Sequence, residues 1–175
     1  MLTFGTEAGL VRGRECGSCV SCCSFFSIAE LDKPAGVLCS HSIPGGGCDN
    51  YPNRPNACRV FYCAWRCWDA VPDDWRPDQT GFILGGRLIA GSSLTVTADP
   101  ARPYSWREEP YYSQLFEWAR QAPALGSQVA VFVEKRVIIL LPEGEQDLGV
   151  IAADEVVIRD EKGHIRKVKR NTVGK

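Results

Sequence analysis

Beyond residue 79 the apolar positions fall into short runs with recognisable periods. Residues 81–84, 87–90 and 94–97 are strand-like runs broken by glycines, and Gly85-Gly86 reads as a hairpin turn between the first two. Tyr111, Leu115, Trp118, Ala119 and Ala122 then recur at offsets 0, 4, 7, 8 and 11, which traces one face of a helix. Glu108 and Glu109 suit the positive start of that helix, Pro110 its first turn, and Pro123 its end. Residues 129–133 and 136–141, separated by Glu134-Lys135, predict a β-hairpin, and residues 156–159 and 164–168 predict another. The expected architecture for this half is an antiparallel sheet carrying one helix.

Residues 1–79 show no such period. They are rich in Cys, Gly, Pro and Trp, and the stretches 44–47, 51–56 and 72–77 are turn chemistry, in which glycine supplies positive φ and proline fixes φ. The pattern predicts an α+β chain in two parts. Residues 1–79 would form a small cysteine-rich metal-binding region of loops and short helices, and residues 80–175 an antiparallel α+β region. The glycine-rich stretches match neither a phosphate loop nor a dinucleotide-binding turn, so nucleotide binding has no support.

Composition narrows the class. A chain of 175 residues has room for one core or two small ones. With 45% hydrophobic and 23% charged residues and a mean hydropathy of −0.15, it fits neither a disordered nor a membrane protein. Its longest aliphatic run, residues 137–141, falls far short of the roughly 20 residues of a membrane span. The opening residues carry no charged leader and no apolar stretch of signal-peptide length, which leads us to expect a cytoplasmic chain. In that reducing compartment a cysteine cluster points to metal or catalysis rather than disulfides. The net charge of −1 gives no global field for nucleic acid. Residues 159–175 carry a local net of +5, and we read them as a solvated tail.

All nine cysteines fall between Cys16 and Cys67. Cys16, Cys19, Cys22 and Cys23 form a CxxCxxCC array, in which a CxxC knuckle lets two thiolates converge on one ion while small residues free backbone N–H groups for the sulfurs. Neighbouring Cys22 and Cys23 point differently and so serve two ions, or one ion and the core. Further ligands come from Cys39, Cys48, Cys58 and Cys63, with Cys67 as an extra candidate. Asn53 or Asn56 could cap a helix here, on which Cys58 and Cys63 would stand about 140° apart while Cys63 and Cys67 share a face. Cys58 and Cys63 therefore lie across a helix boundary or face different sites. Arg54 and Arg59 flank the thiols and could offset thiolate charge.

These residues carry a resemblance. The CxxCxxCC array, the single Cys39 and Cys48, and the run Tyr51-Pro-x-Arg54-Pro55-x-x-Cys58-Arg59-x-Phe61-x-Cys63 resemble the bacterial CxxCxxCC cysteine-cluster family of zinc- or iron-chelating domain proteins. The resemblance covers residues 14–68 and implies metal or iron–sulfur binding by Cys16, Cys19, Cys22, Cys23, Cys39, Cys48, Cys58 and Cys63; Cys67 lies outside it. Zinc fits tetrahedral thiolate sites, and iron–sulfur ligation also takes four thiolates, although the CxxCxxCxxxCP ferredoxin run is absent. His41 could replace a thiolate. Trp65, Trp68 and Trp75 either pack a small core or offer bases a stacking surface. Asp69, Asp73 and Asp74 read as a solvated turn. Three functions follow: a metal-binding protein, an iron–sulfur redox enzyme or electron carrier, or a zinc-stabilised nucleic-acid-binding module.

Overall fold

The structure is a computed structural model that describes residues 9–43, 45–90, 92–160 and 164–170. The fold is α+β. Its centre is a five-stranded sheet of order β3-β4-β5-β6-β7, with β3 at Phe82–Gly85, β4 at Ser93–Ala98, β5 at Gln128–Val133, β6 at Arg136–Leu141 and β7 at Gly144–Val150. A separate hairpin joins β8 (Glu155–Arg159) to β9 (Ile165–Lys169).

The sheet is mixed, not wholly antiparallel. β4 and β5 run parallel, in the register Ser93↔Gln128, because the chain between them crosses over through the helix α5 (Tyr111–Gln121) and returns to the same end. The other neighbours pair antiparallel. Both faces of β5 and β6 are covered, which explains their nearly unbroken apolar sequence. On one face Leu115, Trp118 and Ala119 of α5 pack with Leu94, Val96, Val129, Val131, Ile138 and Leu140. On the other, Ile165 of the hairpin packs with Ala130, Val137 and Ile139.

Two local expectations change. The run 87–90 is no strand, because the partner of β3 is β4, with Gly85 opposite Thr95 and the intervening residues looped out. Gly86, at φ +76° and with room for no Cβ beside the Ser93 carbonyl, ends β3 rather than turning a tight hairpin. Pro123 does not stop the chain's winding either; the helix tightens into a 3-10 turn over Ala122–Leu125. The hairpin through Glu134-Lys135 and the helix face are as the pattern predicts. The link between β8 and β9, at residues 161–163, lies outside the described residues.

The cysteine-rich half contributes short elements: α1 (Ser21–Phe25), the two-residue strands β1 (Ser42–Ile43) and β2 (Gly47–Cys48), α2 (Asn56–Val60), α3 (Ala64–Cys67) and α4 (Pro77–Thr80). The core runs across residue 79, because Ala64, Trp65, Val71 and Trp75 belong to the same apolar cluster as Phe82, Leu94 and Trp118. Trp75 meets Phe82, Tyr111 and Trp118 edge-on at ring separations of 5.9, 4.9 and 5.7 Å. α1, α3 and α4 all contact β3, and all four residues of that edge strand are buried. Among the described residues no helix is long and apolar enough to cross a membrane.

Candidate metal centre

All nine cysteines are free thiols. Their placement follows from local backbone chemistry. The Cys19 N–H donates to the Cys16 carbonyl at 2.8 Å, closing the first knuckle. Cys22 and Cys23 ride on α1, and the Cys39 N–H donates to the Cys23 carbonyl at 3.1 Å, which ties the 36–40 loop to that helix. The ladder of β1 and β2 sets Ser42 opposite Cys48. Cys58 sits on α2, and Cys63 stands at the N-cap of α3.

The thiols divide by their neighbours into two sets of four. Cys63 feels the charges of Cys16 and Cys19, and Cys22 those of Cys16 and Cys19 as well. Cys58 feels Cys23, Cys39 and Cys48, and Cys48 feels Cys23 and Cys39. The first quartet is therefore Cys16, Cys19, Cys22 and Cys63; the second is Cys23, Cys39, Cys48 and Cys58. Cys58 and Cys63 lie across a helix boundary and also face different quartets. Cys22 and Cys23 are the seam. A hydrogen bond from the Cys22 thiol to Cys23 leaves Cys22 well above the usual thiol range, burial adding to the rise. The same bond draws Cys23 down to about 6 against the opposing effect of burial, with Ser42, Lys33 and Arg54 assisting. Burial pushes Cys63 up to about 12, although the Arg66 backbone N–H pulls the other way. Burial likewise raises Cys16, Cys48 and Cys58.

Positive charge is built in around these sulfurs. Arg66 is buried and acts on Cys16; its Nε has no hydrogen-bond partner. Arg54, its guanidinium 4.1 Å from the Tyr51 ring centroid, acts on Cys16, Cys23 and Cys58 and so serves both quartets. Lys33 is buried beside Cys23, its Nζ donating to the Ser24, Phe26 and Pro34 carbonyls. Arg59, by contrast, is spent on the carbonyls of Arg54 and Pro52, where it locks the turn before α2.

The frame of the site depends on groups the spacing of cysteines does not announce. Arg14, two residues before Cys16, is buried and donates to the carbonyls of Trp65, Trp68 and Val71 at 2.8, 3.1 and 2.6 Å and to Asp73 at 2.5 and 2.8 Å. It thereby fastens the first knuckle to the segment carrying Cys63. Glu30 accepts from the Asn56 and Ala57 N–H groups at 2.8 and 3.1 Å, capping α2 from outside where neither Asn53 nor Asn56 does so. A Cβ on Gly47 would stand 2.5 Å from the Gly17 carbonyl oxygen, so the hairpin bearing Cys48 and the first knuckle touch backbone to backbone. Gly47 also sits at φ +84°. Gly47→Ala is expected to cost about 2 kcal/mol or more, which lowers the melting temperature by about 4–8 °C in a thermal scan.

Chain similarity adds nothing to this geometry. No family model, curated protein or solved structure matches the chain.

The donor sets fit a thiophilic metal. Each quartet offers four soft sulfurs, and the unpartnered Arg66 Nε and the buried, unpartnered Ser42 Oγ beside Cys23 are donors waiting for an anionic acceptor. Among the described residues no three His, Cys, Asp or Glu side chains yet stand in an ion-holding arrangement. The backbone gathers the quartets; closing them requires the thiols to lose their protons. His41 is committed elsewhere, its Nδ1 lying 2.9 Å from Asp49 Oδ1. His164 is exposed beside Asp160. Trp65 and Trp75 are buried in the core, which removes them as a stacking surface, and Asp73 is the exposed partner of Arg14 rather than a solvated bystander.

Proposed function

We propose that the chain is a metal-binding protein that holds zinc or iron, the iron as an ion or an iron–sulfur cluster, in two four-thiolate sites. Cys16, Cys19, Cys22 and Cys63 serve one site, and Cys23, Cys39, Cys48 and Cys58 the other. The observation that carries this reading is the division of eight thiols into two sets of four around cations, one of which is a buried guanidinium with an unpartnered Nε. A tetrathiolate centre with a divalent metal carries a net charge of about −2, which Arg66, Arg54 and Lys33 are placed to balance. The order of cysteines shared with the chelating family supports the same reading.

Zinc would make the sites structural, since it has no redox chemistry; iron–sulfur ligation would make the chain an electron carrier or redox enzyme. Metal analysis with an absorption spectrum of anaerobically purified protein separates the two. Colourless protein with about two zinc ions per chain is the zinc outcome. Visible charge-transfer bands that bleach on reduction are the iron–sulfur outcome. Protein that retains neither metal in stoichiometric amount removes the proposal.

Cys67 is the ninth thiol. It is buried and donates to the Cys63 carbonyl at 3.3 Å, so its sulfur is engaged within α3. Cys67→Ser is expected to keep the full metal content and to cost less than about 1.5 kcal/mol, because a serine hydroxyl can make the same bond. Loss of a whole ion in this variant would make Cys67 a ligand.

A further inference from the structure

The two quartets sit on different foundations. Cys63 packs against the main apolar core, and all four residues of α3 behind it are buried. Cys22 shares α1 with buried Ser21 and Phe25, α1 contacts β3, and Arg14 fastens the approach to Cys16. Opening the first quartet therefore means lifting it off the sheet.

The second quartet has no such support. Among the described residues from 29 to 60, only Lys33, Cys39 and Gly47 are buried, and none is a large apolar side chain. Cys48 lies on a two-residue strand and Cys58 on a five-residue helix with no buried residue. The large apolar side chains of this segment, Val37, Leu38, Ile43, Tyr51 and Val60, are all about half exposed. A segment with few buried apolar contacts opens locally at a small fraction of the global stability. Ligation is then the main force that folds it, and solvent reaches Cys48 and Cys58 without disturbing the sheet.

We infer that the Cys23, Cys39, Cys48 and Cys58 site is an exchangeable metal site, which yields its ion to a competing chelator through local opening of residues 29–60, while the Cys16, Cys19, Cys22 and Cys63 site keeps its own. The inference rests on the chelation reading above. In the exchange four thiolate–metal bonds break, the nitrogen and oxygen donors of the incoming chelator take the ion, and the freed sulfurs take protons from the buffer. Nothing is oxidised or reduced.

The test loads the full chain anaerobically with Zn²⁺, measures the zinc bound, and mixes it with excess 4-(2-pyridylazo)resorcinol. Half of the zinc should leave in a first phase about tenfold or more faster than the second. Iodoacetamide added at the end of the first phase, followed by mass spectrometry, should label Cys23, Cys39, Cys48 and Cys58 and spare the other quartet. Tryptophan fluorescence should hold through that phase, because Trp65, Trp75, Trp106 and Trp118 are buried in the sheet's core. Release of both ions in one phase, or early labelling at Cys16, Cys19, Cys22 or Cys63, overturns the inference and leaves chelation standing. A chain that takes up no zinc overturns the inference, and if it also takes up no iron the chelation reading falls with it.

Discussion

Replacing Arg14 by alanine is expected to destabilise the chain by about 3–5 kcal/mol, the cost of removing one partner from a buried charged network. The guanidinium is 9% exposed and satisfies three carbonyls at once, those of Trp65, Trp68 and Val71, which turn away from regular structure just after α3. Alanine leaves those carbonyls facing a cavity, and it also removes the cation from the Trp65 ring, 5.5 Å away. For a domain of this size the melting temperature should fall by about 6–20 °C. Arg14→Lys should recover part of the loss, because a single ammonium reaches fewer of the acceptors. Asp73→Asn should cost much less, since the Asp73 side chain is 90% exposed and its pairing is screened. A melting curve for Arg14→Ala that overlays the parent would mean that the clamp does not hold the first knuckle in place.

Ligand removal should have the other large effect. Apparent binding free energies of structural zinc reach about 10–16 kcal/mol, and in a region with little core that energy is folding energy. Cys19→Ser and Cys58→Ser should each lose one ion's worth of metal and unfold cysteine-rich backbone that the parent protects. In Cys58→Ser the unprotected backbone should be confined to residues 29–60, whereas Cys19→Ser should also expose residues 9–28. Metal analysis and amide exchange on the same samples read both effects. Unchanged metal and unchanged protection in the two variants would show that these thiols are not ligands.

The second half of the fold was legible where burial follows period. The face of Tyr111, Leu115, Trp118 and Ala119 and the turn at Glu134-Lys135 are local patterns that tertiary contacts reinforce. β7 was not legible, because an edge strand with Glu145 and Asp147 facing solvent carries charges in place of apolar residues; those charges meet Arg107, Tyr112 and Arg136. The parallel step from β4 to β5 was hidden too, since direction depends on how the chain returns and not on either strand's composition. At the metal centre the spacing identified the eight thiols but not their division, which depends on the register of β1 with β2 and on the break between α2 and α3. Arg14, Lys33 and Arg66 looked like ordinary surface cations because nothing in their neighbours along the chain reveals that they are buried.

The position of β3 has a consequence for solubility. Phe82, Ile83 and Leu84 form an apolar edge that α1, α3 and α4 keep out of water. An uncovered edge of this kind offers unpaired N–H and C=O groups to any other strand, and its side chains favour the union. The first cysteine quartet, by holding α1 against α3, also guards that edge from self-association. A cell that starved this protein of metal would face a chain prone to stack strand upon strand, rather than one that is merely idle.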